Sequence, residues 1–431
     1  MGQKRHSKPI RRKCDQAESV AVPTSSHQKK ILNRSLFALT FFAAGLLTVI
    51  SIQPNWFTEG RDSKPLNNPT VLNKNADLAV SQTKLHSNFK IEPKTLNELL
   101  DLPKEKLDKV DIARINLLCA SELPATRELD VEHALKKLDE WAQRVAYETD
   151  RHLYRVNDPL FAKHYGNSEA QYRAEMLTQV LYEDLNIKYN PEAINSFSFT
   201  DPSVAFIHGM IPASGKTTAD TPGGTCVSMP VLYVAVGRRL GYPLKLVTTD
   251  SHIFVRWDTS NTDWYVKPKY SIGESFNIET TNGFNRYNDD YYRAWPRILT
   301  EQEVLKNGYL VSLSPAEEFA QFMAARGHHA MDVGQYAFAT RCYENAFRSD
   351  GSRPCFSAWF LRAAQVSDYQ TKTPELQQML LQANNGPQKK KKPQIPNGHD
   401  LQDPLDTVLP QSPKPFGVQV QQLPNPNRIN Q

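Results

Sequence analysis

Apolar residues recur at three- and four-residue spacing through the first half of the chain. Leu96, Leu99 and Leu100 are followed by Val110, Ile112, Ile115, Leu117 and Leu118, then by Val131, Leu135, Leu138, Trp141 and Val145. That period predicts amphipathic helices. Asp130 stands where the third would be N-capped, and a further helix over residues 168–183 sets Tyr172, Met176, Val180 and Leu181 on one side. Residues 91–190 are therefore expected to form an α-helical subdomain whose role is packing. After Asn190 the texture changes to Gly, Pro, Ser and Thr, broken by short apolar runs such as residues 204–207.

The pattern then predicts a helix followed by strands. Residues 227–240 are apolar on nearly every turn, which calls for a buried helix. Pro230 fits only a first turn, where its missing N–H would be unpaired in any case, so the start falls near Thr225 or Cys226. Gly241 is placed for a C′ cap and Pro243 ends the helix. Strands are expected over residues 244–247, 252–257, 264–267 and 276–279, with a turn at Thr249, Asp250 and Ser251. This order gives an α+β core over residues 191–312. Residues 313–370 carry Gly327, Gly334, Tyr336, Ala339, Tyr343 and Ala346, small and aromatic residues where paired helices need close approach, as in one tetratricopeptide-like (TPR-like) repeat. A lone repeat must pack on the core or on a protein partner. Residues 371–431 read as a disordered Pro/Lys/Gln-rich tail.

The N-terminus is of another kind. Residues 36–52 contain no charge, and about 17 apolar residues is the short end of what spans a hydrocarbon core as a helix. Nine Lys/Arg against Asp15 and Glu18 precede them. The positive-inside bias then holds a basic arm, residues 1–35, in the cytoplasm and makes residues 36–53 a single-pass anchor. A polar stalk over residues 54–90 follows, and the body lies outside the membrane, in the periplasm if the source is bacterial. The rival reading, a cleaved signal peptide, lacks a small-x-small site before Gln53 and has too long a basic region. Myristoylation is excluded because His6 stands where Ser or Thr is needed.

Composition changes this picture little. At 431 residues and 40% hydrophobic the chain can bury a core, while 29 prolines and a mean hydropathy of −0.54 leave part of it outside. The net charge of +5 sits at the two ends and leaves a mildly acidic body without a basic stripe, so nucleic acid is not an expected partner. Five cysteines are too few for a disulfide scaffold, although a Cys342–Cys355 bridge across the repeat is one structural use for two of them.

Candidate chemistry centres on Cys226. A helix N-terminus favours a thiolate, Gly223 and Gly224 let the backbone turn tightly before it, and its amide is placed to help an oxyanion. An isolated cysteine is more often structural; His252, at the start of the second strand of a helix–strand–strand unit, is what raises Cys226 above that. Folding the unit on itself returns His252 to the helix start. A base needs an orienting acid. Asp258 is six residues along the same strand, about 20 Å away, and Asp250 lies in the preceding turn. Glu279 alternates with Phe276 and Ile278 so that one face is apolar and the other carries the carboxylate, and it is preferred. Residues 209–217, GMIPASGKT, have five residues between glycines where a phosphate loop needs four. His208 is a candidate substrate-loop residue. His328 and His329 diverge on a helix and do not make a metal site, and neither a metal nor another cofactor is called for.

The run GGTCVSMPVLYVAVGRRLGYPLKLV with SHIFVRW and FNIE resembles the transglutaminase-like superfamily, over about residues 95–350. The resemblance implies a papain-like α+β fold with the order Cys-helix, His-strand, acid-strand. It also implies a thiol mechanism in which Cys226 attacks an amide or ester carbonyl of a peptide or protein, forms a thioester, and is resolved by water or an amine. The superfamily usually has Asp where this chain offers Glu279. The alternative from another class is an inactive transglutaminase-like and TPR-like binding module or scaffold.

Overall fold

The computed structural model describes residues 89–385, apart from residues 127–128, 195, 261–264, 271 and 282. The cytoplasmic arm and anchor expected at the N-terminus, nearly all of the stalk, and the tail beyond residue 385 lie outside the described residues. Among those described, no helix is long and apolar enough to cross a membrane.

Four helices come first: α1 (Leu96–Leu100), α2 (Ile112–Ala120), α3 (Val131–Arg151) and α4 (Glu169–Gln179). Their starts are written in the sequence. Thr95, Asp111, Asp130 and Ser168 each accept a hydrogen bond from the first turn through their side chains, satisfying N–H groups that a helix cannot pair internally. Next comes α5 (Met229–Arg239), every residue of which is buried. Then follow β1 (Leu244–Thr249), β2 (His252–Trp257) and β3 (Phe276–Ile278), which form one antiparallel sheet in the order β1-β2-β3. Six helices close the described chain: α6 (Asp289–Ala294), α7 (Glu301–Asn307), α8 (Pro315–Asp332), α9 (Tyr336–Ser349), α10 (Pro354–Ala364) and α11 (Pro374–Asn385). This is a mixed α+β arrangement: a small three-stranded antiparallel sheet with flanking helices.

One hydrophobic cluster runs from Leu96 on α1 through α5 and the sheet to Phe356 on α10. The early helices, the sheet and the later helices therefore share a core, with α5 at its centre. Two buried arginines at the end of α5 tie the layers together. Arg238 donates to both carboxylate oxygens of Glu318 on α8, at 2.9 and 2.5 Å, and to the carbonyl of Leu244 on β1 at 3.0 Å. Arg239 pairs with Asp111 at the start of α2 and with Asp139 on α3, the latter at 2.8 Å. Later in the chain, α8 and α9 form a helical hairpin in which Gly327 lies against the Tyr343 ring; a Cβ there would meet Cε1 at 2.5 Å.

Four expectations need correction, the first being the tail: residues 374–385, expected as part of a disordered segment, form α11, with Leu376 buried. Residues 265–267 form no strand; Lys267 hydrogen-bonds back to Gly241 at 3.1 Å and a single turn, Pro268–Tyr270, follows. The central helix begins at Met229, with Ser228 as N-cap residue, because the Thr225 and Ser228 side chains close a separate turn ahead of it. Cys342 and Cys355 are separate thiols: Cys342 is buried in the main core and Cys355 packs against that core from another helix.

The Arg238–Glu318 pair is almost wholly removed from water, so Glu318→Ala is expected to destabilise the protein by about 3–5 kcal/mol, through a buried guanidinium stripped of its carboxylate. Arg238→Met combined with Glu318→Leu should lose far less. Urea unfolding checks both, and equal losses in the two variants would mean that packing, not charge, dominates at this joint.

Candidate active site

The unit that carries the site is α5 followed by the β1–β2 hairpin. Eleven helical residues rise about 16 Å and the six residues of β1 extend about 20 Å. The strand therefore runs back along the helix and ends near its start. A two-residue link, Asp250 and Ser251, joins the strands; Ser251 takes a left-handed φ of 57°, and Thr249 pairs with His252. His252 is thus delivered to the end of the molecule where Cys226 lies.

Cys226 is half-buried, in a turn whose geometry its neighbours fix. Met229 N donates to Thr225 O at 2.9 Å, Thr225 N to Ser228 Oγ at 3.0 Å and Val227 N to Thr225 Oγ1 at 3.1 Å. Both hydroxyls donate to the carbonyl of Val204, at 2.6 and 3.2 Å. Gly223 holds φ at 103°, and a Cβ on it would meet the Lys188 carbonyl at 2.6 Å; one on Gly224 would strike Met210 and Met229. These contacts explain the paired glycines before the thiol.

β3 supplies the carboxylate. Val255, Arg256 and Trp257 pair with Ile278, Asn277 and Phe276. Continued by one residue, that register sets Glu279 opposite Phe254, on the face that His252 shares and diagonal to it. His252 Nε2 meets Glu279 Oε2 at 2.8 Å. Tyr292 donates to the same oxygen at 3.1 Å. The other oxygen, Oε1, accepts from Thr280 N and Thr281 N at 3.0 Å each and from the Thr281 hydroxyl at 2.7 Å. His252 also interacts with the Cys226 side chain, and its Nδ1 is buried with no hydrogen bond.

Electrostatics follow from this placement. Burial alone would lower the His252 pKa, but the Cys226 and Glu279 side chains outweigh it and lift it to about 9. Burial would raise Glu279, yet the hydrogen bond and charge of His252, with Thr281, hold it below the usual carboxylate value. The imidazole is therefore a cation at neutral pH, between an acid and a thiol. Aromatic rings fix its plane: Tyr292 stacks beside it, 6.0 Å between centroids, and Trp295 stands edge-on at 5.0 Å. Tyr292 itself stacks on Phe254 at 3.7 Å.

The other candidates are elsewhere. Asp258 accepts from Ser260 and Ser312. Asp250 pairs with Arg297 at 2.6 Å. His208 lines a separate cavity of about 420 Å³ with Thr126, His133 and Ile211. His328 turns to the Tyr343 hydroxyl and His329 to the Phe199 carbonyl, each at 2.8 Å. Sequence reasoning missed Tyr292, Trp295 and Thr281. The tyrosines and tryptophan of residues 287–295 were visible as an aromatic run, but nothing in their spacing ties them to a histidine on β2.

Residues 132–288 match the model of the transglutaminase-like superfamily, so the chain carries a transglutaminase-like domain there, with Cys226, His252 and Glu279 all inside it. No curated protein and no solved structure matches the chain.

His252 has a folded-state pKa near 9, above its ordinary 6.5. Its contacts therefore contribute stability in full below about pH 6.5, and that contribution is lost as pH rises through 9. Glu279→Gln removes one of the two raising groups. Imidazole NMR titration is expected to place the His252 midpoint lower in that variant than in the wild type, and an unmoved midpoint would contradict the assignment.

Proposed function

We propose that this protein is a thiol-dependent enzyme acting on amide bonds of peptides or proteins by acyl transfer or hydrolysis. Cys226 is the nucleophile, His252 its base and later its acid, and Glu279 the group that orients His252. A transglutaminase-like domain implies cysteine-based acyl transfer or hydrolysis in general. What supports the specific roles is one observation: a buried imidazole that meets Glu279 through Nε2 and also interacts with the Cys226 side chain.

In this reading the thiol proton already resides on His252, as a thiolate–imidazolium pair formed before substrate arrives, and the thiolate attacks the substrate carbonyl carbon. The carbonyl π pair moves to oxygen, then returns as the C–N bond breaks. The departing nitrogen takes its proton from the His252 imidazolium, and the thioester left on Cys226 is resolved by water or by an amine. Glu279 does not change its protonation; it keeps the ring oriented and favours the cation. A glutamate fills this role because its carboxylate reaches the ring while its second oxygen stays fixed to the Thr280 and Thr281 segment. The uncharged run at residues 36–52 and its basic flank place this chemistry, in the same proposal, outside a membrane to which the N-terminus is anchored.

Iodoacetamide is expected to label Cys226 rapidly at pH 6, and His252→Ala should slow that labelling by about 100-fold. The labelled residue is identified by peptide mass mapping. If Cys226 in the wild type reacts no faster than a free thiol in a model peptide, the enzyme reading fails. Amide turnover, once a substrate is found in a peptide library, should vanish in Cys226→Ala and fall on the alkaline side near pH 9, where the His252 cation is lost.

A further inference from the structure

The tryptophan that stands edge-on to His252 is itself open to solvent. Trp295 keeps 43% of its surface exposed while its ring lies 5.0 Å from the imidazole, centroid to centroid. The apolar surface continues away from the site. Tyr291, 38% exposed, lies within 19° of parallel to Trp295 at 6.2 Å, and Tyr287 stacks in turn on Tyr291 at 4.0 Å. Ile298, three residues on, is exposed as well. Scattered exposed apolar side chains need no explanation, but this row of rings ends on the histidine of the site.

The segment that carries Trp295 is pinned. Arg297 donates to Asp250, two residues before His252, at 2.6 Å and to Glu303 in the first turn of α7 at 2.8 Å. Leu299 N donates to Arg293 O at 2.8 Å, which closes a loop around Trp295, and the Leu299 side chain is buried. The same bridge therefore ties the tryptophan segment to the turn that leads into His252. Apolar rings held still at the surface, against a reacting group, form a preorganised contact surface: little ordering is left to do when a ligand covers them.

We propose that Trp295, continued by Tyr291, is a specificity-determining residue that receives a bulky apolar side chain from the substrate residue supplying the departing nitrogen. This rests on the acyl-transfer reading given above. In that reading the departing nitrogen takes its proton from His252, so the half of the substrate bonded to that nitrogen lies on the His252 side of the thiol. Trp295 stands against His252 and so meets this half, not the half that remains on Cys226 as the thioester. An aromatic or branched aliphatic side chain suits the surface, because flat rings offer dispersion and edge-to-face contact over a large area. Arg297, the cation of the same segment, is already held between two carboxylates and does not call for an acidic side chain.

The test compares iodoacetyl amides of single residues on the full-length protein, with the label located on Cys226 by peptide mass mapping. Iodoacetyl-phenylalaninamide and iodoacetyl-glycinamide share the carbon at which the thiolate displaces iodide and differ only in the side chain beyond the amide nitrogen; the aspartate and lysine counterparts carry a charge there. The wild type is expected to react about 30-fold faster with the phenylalanine reagent than with the glycine one. The readout is this ratio, because the glycine rate alone absorbs any effect of a variant on His252. Trp295→Ala should bring the ratio to about twofold, Trp295→Phe should recover most of it, and Tyr291→Ala, which leaves the ring against His252 in place, should lower it to about 10-fold. A wild-type ratio near one, or a preference for either charged reagent, would overturn the apolar subsite. Rates that fall together in Trp295→Ala with the ratio intact would make the tryptophan a support for His252 and overturn its role in specificity; if Trp295→Ala does not fold, unchanged ratios in Trp295→Phe and Tyr291→Ala together with no wild-type preference do the same. A wild type in which Cys226 reacts with every reagent no faster than a model-peptide thiol would instead sink the acyl-transfer reading, and the subsite with it.

Discussion

Two neighbouring arginines inside the core are the constraint on which this structure turns. Arg238 and Arg239 end a helix with no exposed residue, and neither charge can remain there without a partner. Arg239 draws in the starts of the early helices through Asp111 and Asp139; Arg238 draws in Glu318 and the backbone where β1 begins. Because the same helix starts just after Cys226 and leads directly into the hairpin that carries His252, these pairs bear on the register of the site as well as on the fold. The early helices hold, through these pairs, the helix that lies between Cys226 and the hairpin bearing His252.

Much of this was legible because short-range rules carried it. N-caps at Asp130 and Ser168, the glycine after the central helix and the strand alternation around Glu279 are local signals, and a two-residue link between strands of matched length brings His252 back to Cys226 without any long-range information. The choice of Glu279 over Asp258 was also local, since a strand cannot bend six residues back on itself. What was not legible depended on contacts between distant segments. Tyr292 reaches Glu279 from a helix after the sheet and lies in no motif. The start of the central helix was misplaced because Thr225 and Ser228 close a turn of their own with their hydroxyls, which periodicity does not register. Of the strand expected at residues 264–267, residues 265–267 take an irregular path instead: Tyr265 is buried, and Lys267 binds the glycine after the helix.

The His252 imidazole is thus held by aromatic rings and by a carboxylate together. The stacked Tyr292 and the edge-on Trp295 restrict the plane of His252, while Glu279 sets its rotation within that plane. A ring held in this way needs little reorganisation when its own charge changes. The same contacts also account for why a buried cation is tolerated at the site.

The carboxylate of Glu279 divides its work between its two oxygens. Three donors from residues 280 and 281 occupy Oε1, whereas Oε2 faces only His252 and Tyr292. Turning the group over would break all five hydrogen bonds at once, so the two oxygens are not interchangeable. One is a hinge pin and the other a bearing surface: the carboxylate holds the imidazole in place without itself becoming a moving part.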